Sequence, residues 1–160
     1  MNRFFRIKES SNYERLRNSL EFRCLRRSAM AIWIFTAAML LLAALVGIGK
    51  TGRSMASFVI LIVVFFPLNL YYVYRFAVLF SDIDHWTFTQ VKLDRPHIGG
   101  RGGAYFTVTV RDRSGRELER DTGVLFGEIW EPRFEDSNNK MALVGYNDET
   151  DTVALIKILP

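Results

Sequence analysis

The sequence predicts a membrane protein: an N-terminal two-helix transmembrane hairpin followed by a small antiparallel all-β domain, a sandwich or half-open barrel. Three observations predict it. Residues 29–48 and 55–74 hold no charged side chain. Only "GKTGRS" (residues 49–54) separates these runs. From Ser81 onward the pattern changes to period-two alternation broken by turn residues, the signature of short strands.

The first run reads "AMAIWIFTAAMLLLAALVGI" and the second "MASFVILIVVFFPLNLYYVY". At about 1.5 Å rise, roughly 20 apolar residues cross a hydrocarbon core about 30 Å thick. The first run is preceded by 28 polar-rich residues that include Glu9, Glu14 and Glu21. A secretory signal has a short basic head and an apolar stretch of about 7–15 residues, so a retained span is expected. The short connection makes the two helices antiparallel neighbours. Residues 1–28 carry eight Lys/Arg, the connection only Lys50 and Arg53, and Arg75 follows the second run. Basic residues stay on the cytoplasmic side, so a multi-pass protein of the bacterial inner membrane with both termini cytoplasmic is expected. Trp33 and Tyr71, Tyr72 and Tyr74 fall where aromatic side chains anchor in the headgroup zone. A lone cysteine, Cys24, suits a reducing compartment.

The expected division is a basic tail (1–28), the hairpin (29–80, helices about 29–48 and 55–74) and a cytosolic β domain (81–160). In the tail, Ser11 and Glu14 have capping-box spacing. Tyr13, Leu16, Leu20 and Cys24 share one helical face. Two readings follow: a basic amphipathic helix on the anionic leaflet, or a solvated extension of the first span. Within the membrane, Pro67 removes a helix hydrogen bond, and Asn69 needs a partner or a headgroup. Ala43 and Gly47 form one small-xxx-small pair, a packing signal. These four are the candidate packing residues. Neither span holds an ionisable residue, which argues against a proton relay or pump.

In the C-terminal part, "HWTFTQVKL", "AYFTVTVRD", "LERDTGVLF", "KMALVGYN" and "TVALIKIL" read as strands, with "DRSGRE" and "DETD" as turns. The net charge of +4 is unevenly spread. Residues 1–28 carry +5 and residues 81–160 carry −4. A general nucleic-acid binder needs a basic footprint, so that class is disfavoured. Within the domain, residues 92–120 are net basic and 121–160 net acidic. The glycine-rich stretch "RPHIGGRGGAYFTV" (95–108) lies on the basic part. Backbone N–H groups of such a loop can face an anion. The candidate ligand residues are therefore Arg95, His97, Gly99, Gly100, Arg101, Gly102, Gly103 and Arg111; the competing reading is a plain hairpin tip. "GGRGG" lacks the Lys-Ser/Thr of a phosphate loop, and no helix pattern follows it. No zinc spacing or catalytic constellation is present, so neither an enzyme nor a cofactor is expected.

The layout of two N-terminal transmembrane helices and a β-strand-rich cytosolic domain resembles the two-transmembrane, β-strand-rich effectors of bacterial cyclic-nucleotide antiphage systems. The resemblance covers the whole chain in architecture and rests on no residue motif. It implies a β domain that binds a cyclic oligonucleotide and helices that assemble to disrupt the membrane. The ending "ALVGYNDETDTVALIKIL" also resembles small bacterial β domains attached to membrane helices. The expected function is a non-enzymatic inner-membrane protein whose β domain recognises a ligand or partner. Its sharpest form is a ligand-gated membrane-disrupting effector. The alternative is an immunity or accessory protein that binds a toxin or a larger membrane complex. The expected partners are the lipid bilayer, further copies of the chain or another protein, and an anionic ligand such as a cyclic oligonucleotide.

Overall fold

The computed structural model describes residues 10–47, 53–98, 103–126 and 137–159. The chain divides into two compact units: Met1–Leu25 with Phe76–Pro160, and Arg26–Arg75. Helix α1 (Ser11–Arg17) leads to α2 (Leu20–Gly47) and α3 (Arg53–Phe80). A 3-10 turn, Ile83–His85, then opens the strands. These are β1 (Trp86–Lys92), β2 (His97–Ile98), β3 (Gly103–Tyr105), β4 (Thr107–Arg111), β5 (Glu117–Asp121), β6 (Leu125–Phe126), β7 (Met141–Asn147) and β8 (Thr152–Ile158).

The tail departs from its expected form. Its cap is Ser10, not Ser11: the Ser10 hydroxyl accepts from the Asn12 amide. One helix through residue 28 is not formed. Asn18 closes α1, with its amide bonded to the Glu14 carbonyl at 3.0 Å. Buried Ser19 then starts α2, its Oγ accepting from the Phe22 amide at 3.0 Å. A serine that satisfies an orphan N–H is a standard way to begin a helix. The expected apolar face is real: Leu16, Leu20 and Cys24 are buried and Tyr13 half-buried. What it meets is neither lipid nor water but the β domain. Leu16 packs with Leu79, Ile83, Trp86, Ala154 and Ile156, and Leu20 and Cys24 join the core around Phe106. Full burial of one such leucine contributes about 2 kcal/mol. The helices also run past the uncharged segments, each for 28 residues.

Three antiparallel sheets form among the described residues: β1-β7-β8, β2-β3-β6 and β4-β5. No closed barrel is present among them. The first sheet lies between two apolar layers. Ala142, Val144, Tyr146, Val153 and Leu155 face the core with Phe106, Val108 and Val110. Trp86, Leu143, Ala154 and Ile156 face the opposite side, toward Leu16 and Leu79. A strand buried on both faces reads as a continuous apolar run, which accounts for "VALI" at 153–156. Gly145 sits close against this layer. A Cβ at Gly145 would come within 3.0 Å of the Trp86 ring and 3.1 Å of Phe88.

The stretch expected as one strand, "AYFTVTVRD", is two. Phe106 separates β3 from β4 and is held by a two-way clamp. Its amide donates to Thr122 Oγ1 at 3.0 Å, and its carbonyl accepts from the Thr122 amide at 2.9 Å. β4 and β5 form the expected hairpin, with Gly115 at φ +82° in its turn. A positive φ strains any residue with a Cβ.

Two helical segments, Leu20–Leu45 and Val63–Phe80, are long and apolar enough to cross a membrane. Large apolar side chains on these helices stand open: Ile34 67%, Leu41 63%, Val63 65% and Phe66 63% exposed. The Asn69 amide donates to Thr36 Oγ1 at 3.3 Å and to the Phe65 carbonyl at 2.7 Å. Phe35 and Phe65 rings lie 5.5 Å apart. Asn69 is thus satisfied inside the hairpin. Ala43 is half-buried, and Gly47 is the last residue of α2.

Candidate functional site

The glycine stretch is a hairpin connection. His97 pairs with Tyr105 and Ile98 with Ala104, so the strands on either side of this stretch are antiparallel neighbours. Gly99, Gly100, Arg101 and Gly102 lie outside the described residues. Gly103 is buried at the start of β3, opposite Phe126. Arg95 is exposed in the segment leading to β2.

His97 gathers three residues that had not been candidates. Its ring stacks on Tyr105 with centroids 4.8 Å apart and 16° between planes. Its Nε2 lies 3.3 Å from Thr107 Oγ1, and that hydroxyl donates to Asp121 Oδ1 at 2.7 Å. The threonine proton therefore points at the carboxylate, so Thr107 accepts from an Nε2–H. A hydroxyl nucleophile instead needs its proton directed at the histidine, with the carboxylate behind the ring. The order here is His–Thr–Asp, which orients the ring rather than activating the hydroxyl. Among the described residues, no three His, Cys, Asp or Glu side chains group so as to hold a metal ion.

Arg111 is not part of this group. It sits four residues along β4 from Thr107, about 13 Å at strand spacing. Its guanidinium bonds Glu117 Oε1, its cross-strand partner, at 2.7 Å. Other arginines of the basic half are engaged in the same way. Arg116 meets Asp112 at 3.0 Å, Arg113 meets Glu149 at 3.7 Å and Arg120 meets Asp151 at 2.8 Å. Two of these reach into the acidic half of the chain. The opposed charges of residues 92–120 and 121–160 thus meet within one domain.

The titration shifts follow these contacts. The Ser114 hydroxyl, helped by Arg116, holds the Asp112 carboxyl down to about 2. Arg120 and then the Tyr146 hydroxyl hold Asp151 below its ordinary value, and Asp151 in turn raises Arg120. Burial, and then the bond from its hydroxyl to Asp151 Oδ1 at 2.9 Å, push Tyr146 up to about 12.

The β7–β8 turn carries a further polar centre. Asn147 is fully buried. Its amide nitrogen donates to the carbonyls of Ser81 and Asp82, at 3.2 and 3.3 Å. Its oxygen accepts from the amides of Glu149 and Thr150, at 3.0 and 3.4 Å. All four hydrogen-bonding positions of the side chain are used. In "YNDETD" only the turn signal was visible. By contrast, Thr36 was findable: it is the only hydrogen-bonding side chain in the uncharged first run apart from Trp33. Folding the hairpin about residues 49–54 brings it near Asn69.

No protein-family model matches the chain, and neither does any curated protein or solved structure.

Proposed function

We propose that this chain is a non-enzymatic bacterial inner-membrane protein whose cytosolic β domain recognises a ligand or a partner. The observation that carries the membrane part is the row of open apolar side chains on α2 and α3. Contiguous apolar surface of that extent marks a membrane or protein contact on a soluble chain. Lipid tails cover it at no such cost. Recognition is assigned to the β2–β3 hairpin, where Arg95 is exposed and His97 is oriented by Tyr105 and Thr107. In the sequence Arg101 falls between β2 and β3. The sharpest form of this reading is ligand-gated assembly of the hairpins.

One observation favours the second reading, an immunity or accessory protein. Arg111, Arg113, Arg116 and Arg120 are all paired with carboxylates of the same chain. That leaves less free positive charge for a cyclic oligonucleotide and suits a protein partner better.

Membrane fractionation with protease protection tests the topology; recovery in the soluble fraction overturns it. The detergent-purified chain is then weighed by light scattering with and without cyclic di- and trinucleotides. A ligand-dependent rise in mass, abolished by Arg95→Glu or Arg101→Glu, supports the gated form. An unchanged mass with a specific co-purifying protein supports the accessory form.

A further inference from the structure

We propose that Arg26, Arg27 and Arg75 form a cationic collar that binds the phosphate headgroups of anionic phospholipids. The inference rests on the membrane reading above. α2 and α3 meet at two levels: Ser28 lies beside Tyr72, and the Asn69 amide donates to Thr36 Oγ1 at 3.3 Å. Arg27 and Arg26 lie one and two residues before Ser28 on α2. Arg75 lies three residues after Tyr72 on α3. At about 1.5 Å per residue, the three backbones sit within roughly 5 Å of one level. The antiparallel hairpin therefore gathers arginines from two helices that are 48 residues apart in the chain.

That level is the end of the apolar segment. The uncharged run of α2 continues from residue 29 to residue 47, roughly 28 Å of helix, close to the hydrocarbon thickness of about 30 Å. Tyr71 and Tyr74 stand open beside it, 43% and 63% exposed, as aromatic residues do in the headgroup zone. Arg26 is exposed, and Arg27 and Arg75 are half-buried against the helices. No Asp or Glu occurs between Glu21 and Asp82. Even with Glu21 and Arg23 counted in, the collar region keeps a net charge of +3. All three residues are arginine. A planar guanidinium pairs two phosphate oxygens at once, which a lysine ammonium does not. General attraction to an anionic surface needs only charge; a collar of this kind adds retention of particular headgroups.

The test uses the full chain extracted in mild detergent and, in parallel, reconstituted in nanodiscs of phosphatidylcholine with or without phosphatidylglycerol or cardiolipin. Native mass spectrometry reads the lipid retained. Anionic phospholipid should be kept in preference to phosphatidylethanolamine and phosphatidylcholine. The Arg26→Gln/Arg27→Gln/Arg75→Gln variant should lose that preference, by about fivefold per arginine and on the order of a hundredfold together. The triple Arg→Lys variant should fall between the two. Equal retention of anionic and zwitterionic lipid by the unaltered chain overturns the proposal without any variant. So does a glutamine variant that keeps the preference. A chain absent from the membrane fraction refutes the membrane reading itself, whereas a membrane-embedded chain with no lipid preference refutes the collar alone.

Discussion

The carboxylate of Glu21, in the first turn of α2, accepts a hydrogen bond at 3.2 Å from the backbone amide of Leu155, 134 residues later in β8. β8 is an edge strand, and its pairing with β7 shifts register between Leu143 and Val144. A bulge leaves a ladder group without its usual partner. Glu21 meets that need from another element and is itself buried. One side chain thus ties the N-terminal segment to the last strand.

Glu21→Leu should lower stability by about 1–3 kcal/mol, because it strands a buried N–H. Glu21→Gln, which keeps an acceptor, should cost less. Chemical denaturation of the detergent-solubilised chain, followed by tryptophan fluorescence, separates the two. Equal losses would mean that the Leu155 bond is not what Glu21 contributes.

Asn147 offers a sharper dissection. Asn147→Ala removes four hydrogen bonds and should cost on the order of 3 kcal/mol. Asn147→Asp keeps the two bonds from Glu149 and Thr150 but loses the two donors to Ser81 and Asp82. Hydrogen exchange should then show Asp increasing exchange around residues 81–85 while the 148–151 turn stays protected. Loss of protection in both places would contradict the assigned bonds.

Tyr146 and Asp151 predict the pH response. Tyr146 is held above its ordinary value, so its neutral form is favoured in the folded chain. Its contribution is full below pH 10 and is lost as pH rises through about 12. Asp112 and Asp151 are held down. Their contribution is present above the unfolded carboxyl value, about 3.9, and is lost as pH falls toward the depressed values, about 2 for Asp112. Ultraviolet titration at alkaline pH should show a late tyrosine component that is reduced in Tyr146→Phe. That variant should also lose about 1 kcal/mol near neutral pH.

The Thr36–Asn69 bond can be measured within the hairpin. Thr36→Val should cost about 0.6 kcal/mol, the usual size of a side-chain bond between membrane helices. Asn69→Val should cost more, because the bond to the Phe65 carbonyl is lost too. The double variant should resemble Asn69→Val alone. Full additivity in an unfolding assay in mixed micelles would show that the two side chains act independently.

The sequence by itself determined the local elements. Two uncharged runs and a six-residue turn are enough for a hairpin, since length and apolarity are local properties. Alternation placed β1 and β4, apolar runs bounded by turn residues placed β7 and β8, and Gly115 placed a turn. The glycine stretch was legible as a strand connection for the same reason. What only the tertiary structure decided was which surfaces meet. The face of Leu16, Leu20 and Cys24 was correct, but its partner lay more than 50 residues away, on Leu79, Trp86 and Ile156 for Leu16. The strand order β1-β7-β8 was not legible, because pairing between distant strands leaves no periodic mark. The break at Phe106 depends on Thr122, sixteen residues on. The basic half of the domain was visible as charge, yet four of its arginines pair at the surface with Glu117, Glu149, Asp112 and Asp151. Charge along a chain is a sum, whereas pairing is set by distance in space, and folding sets the distances.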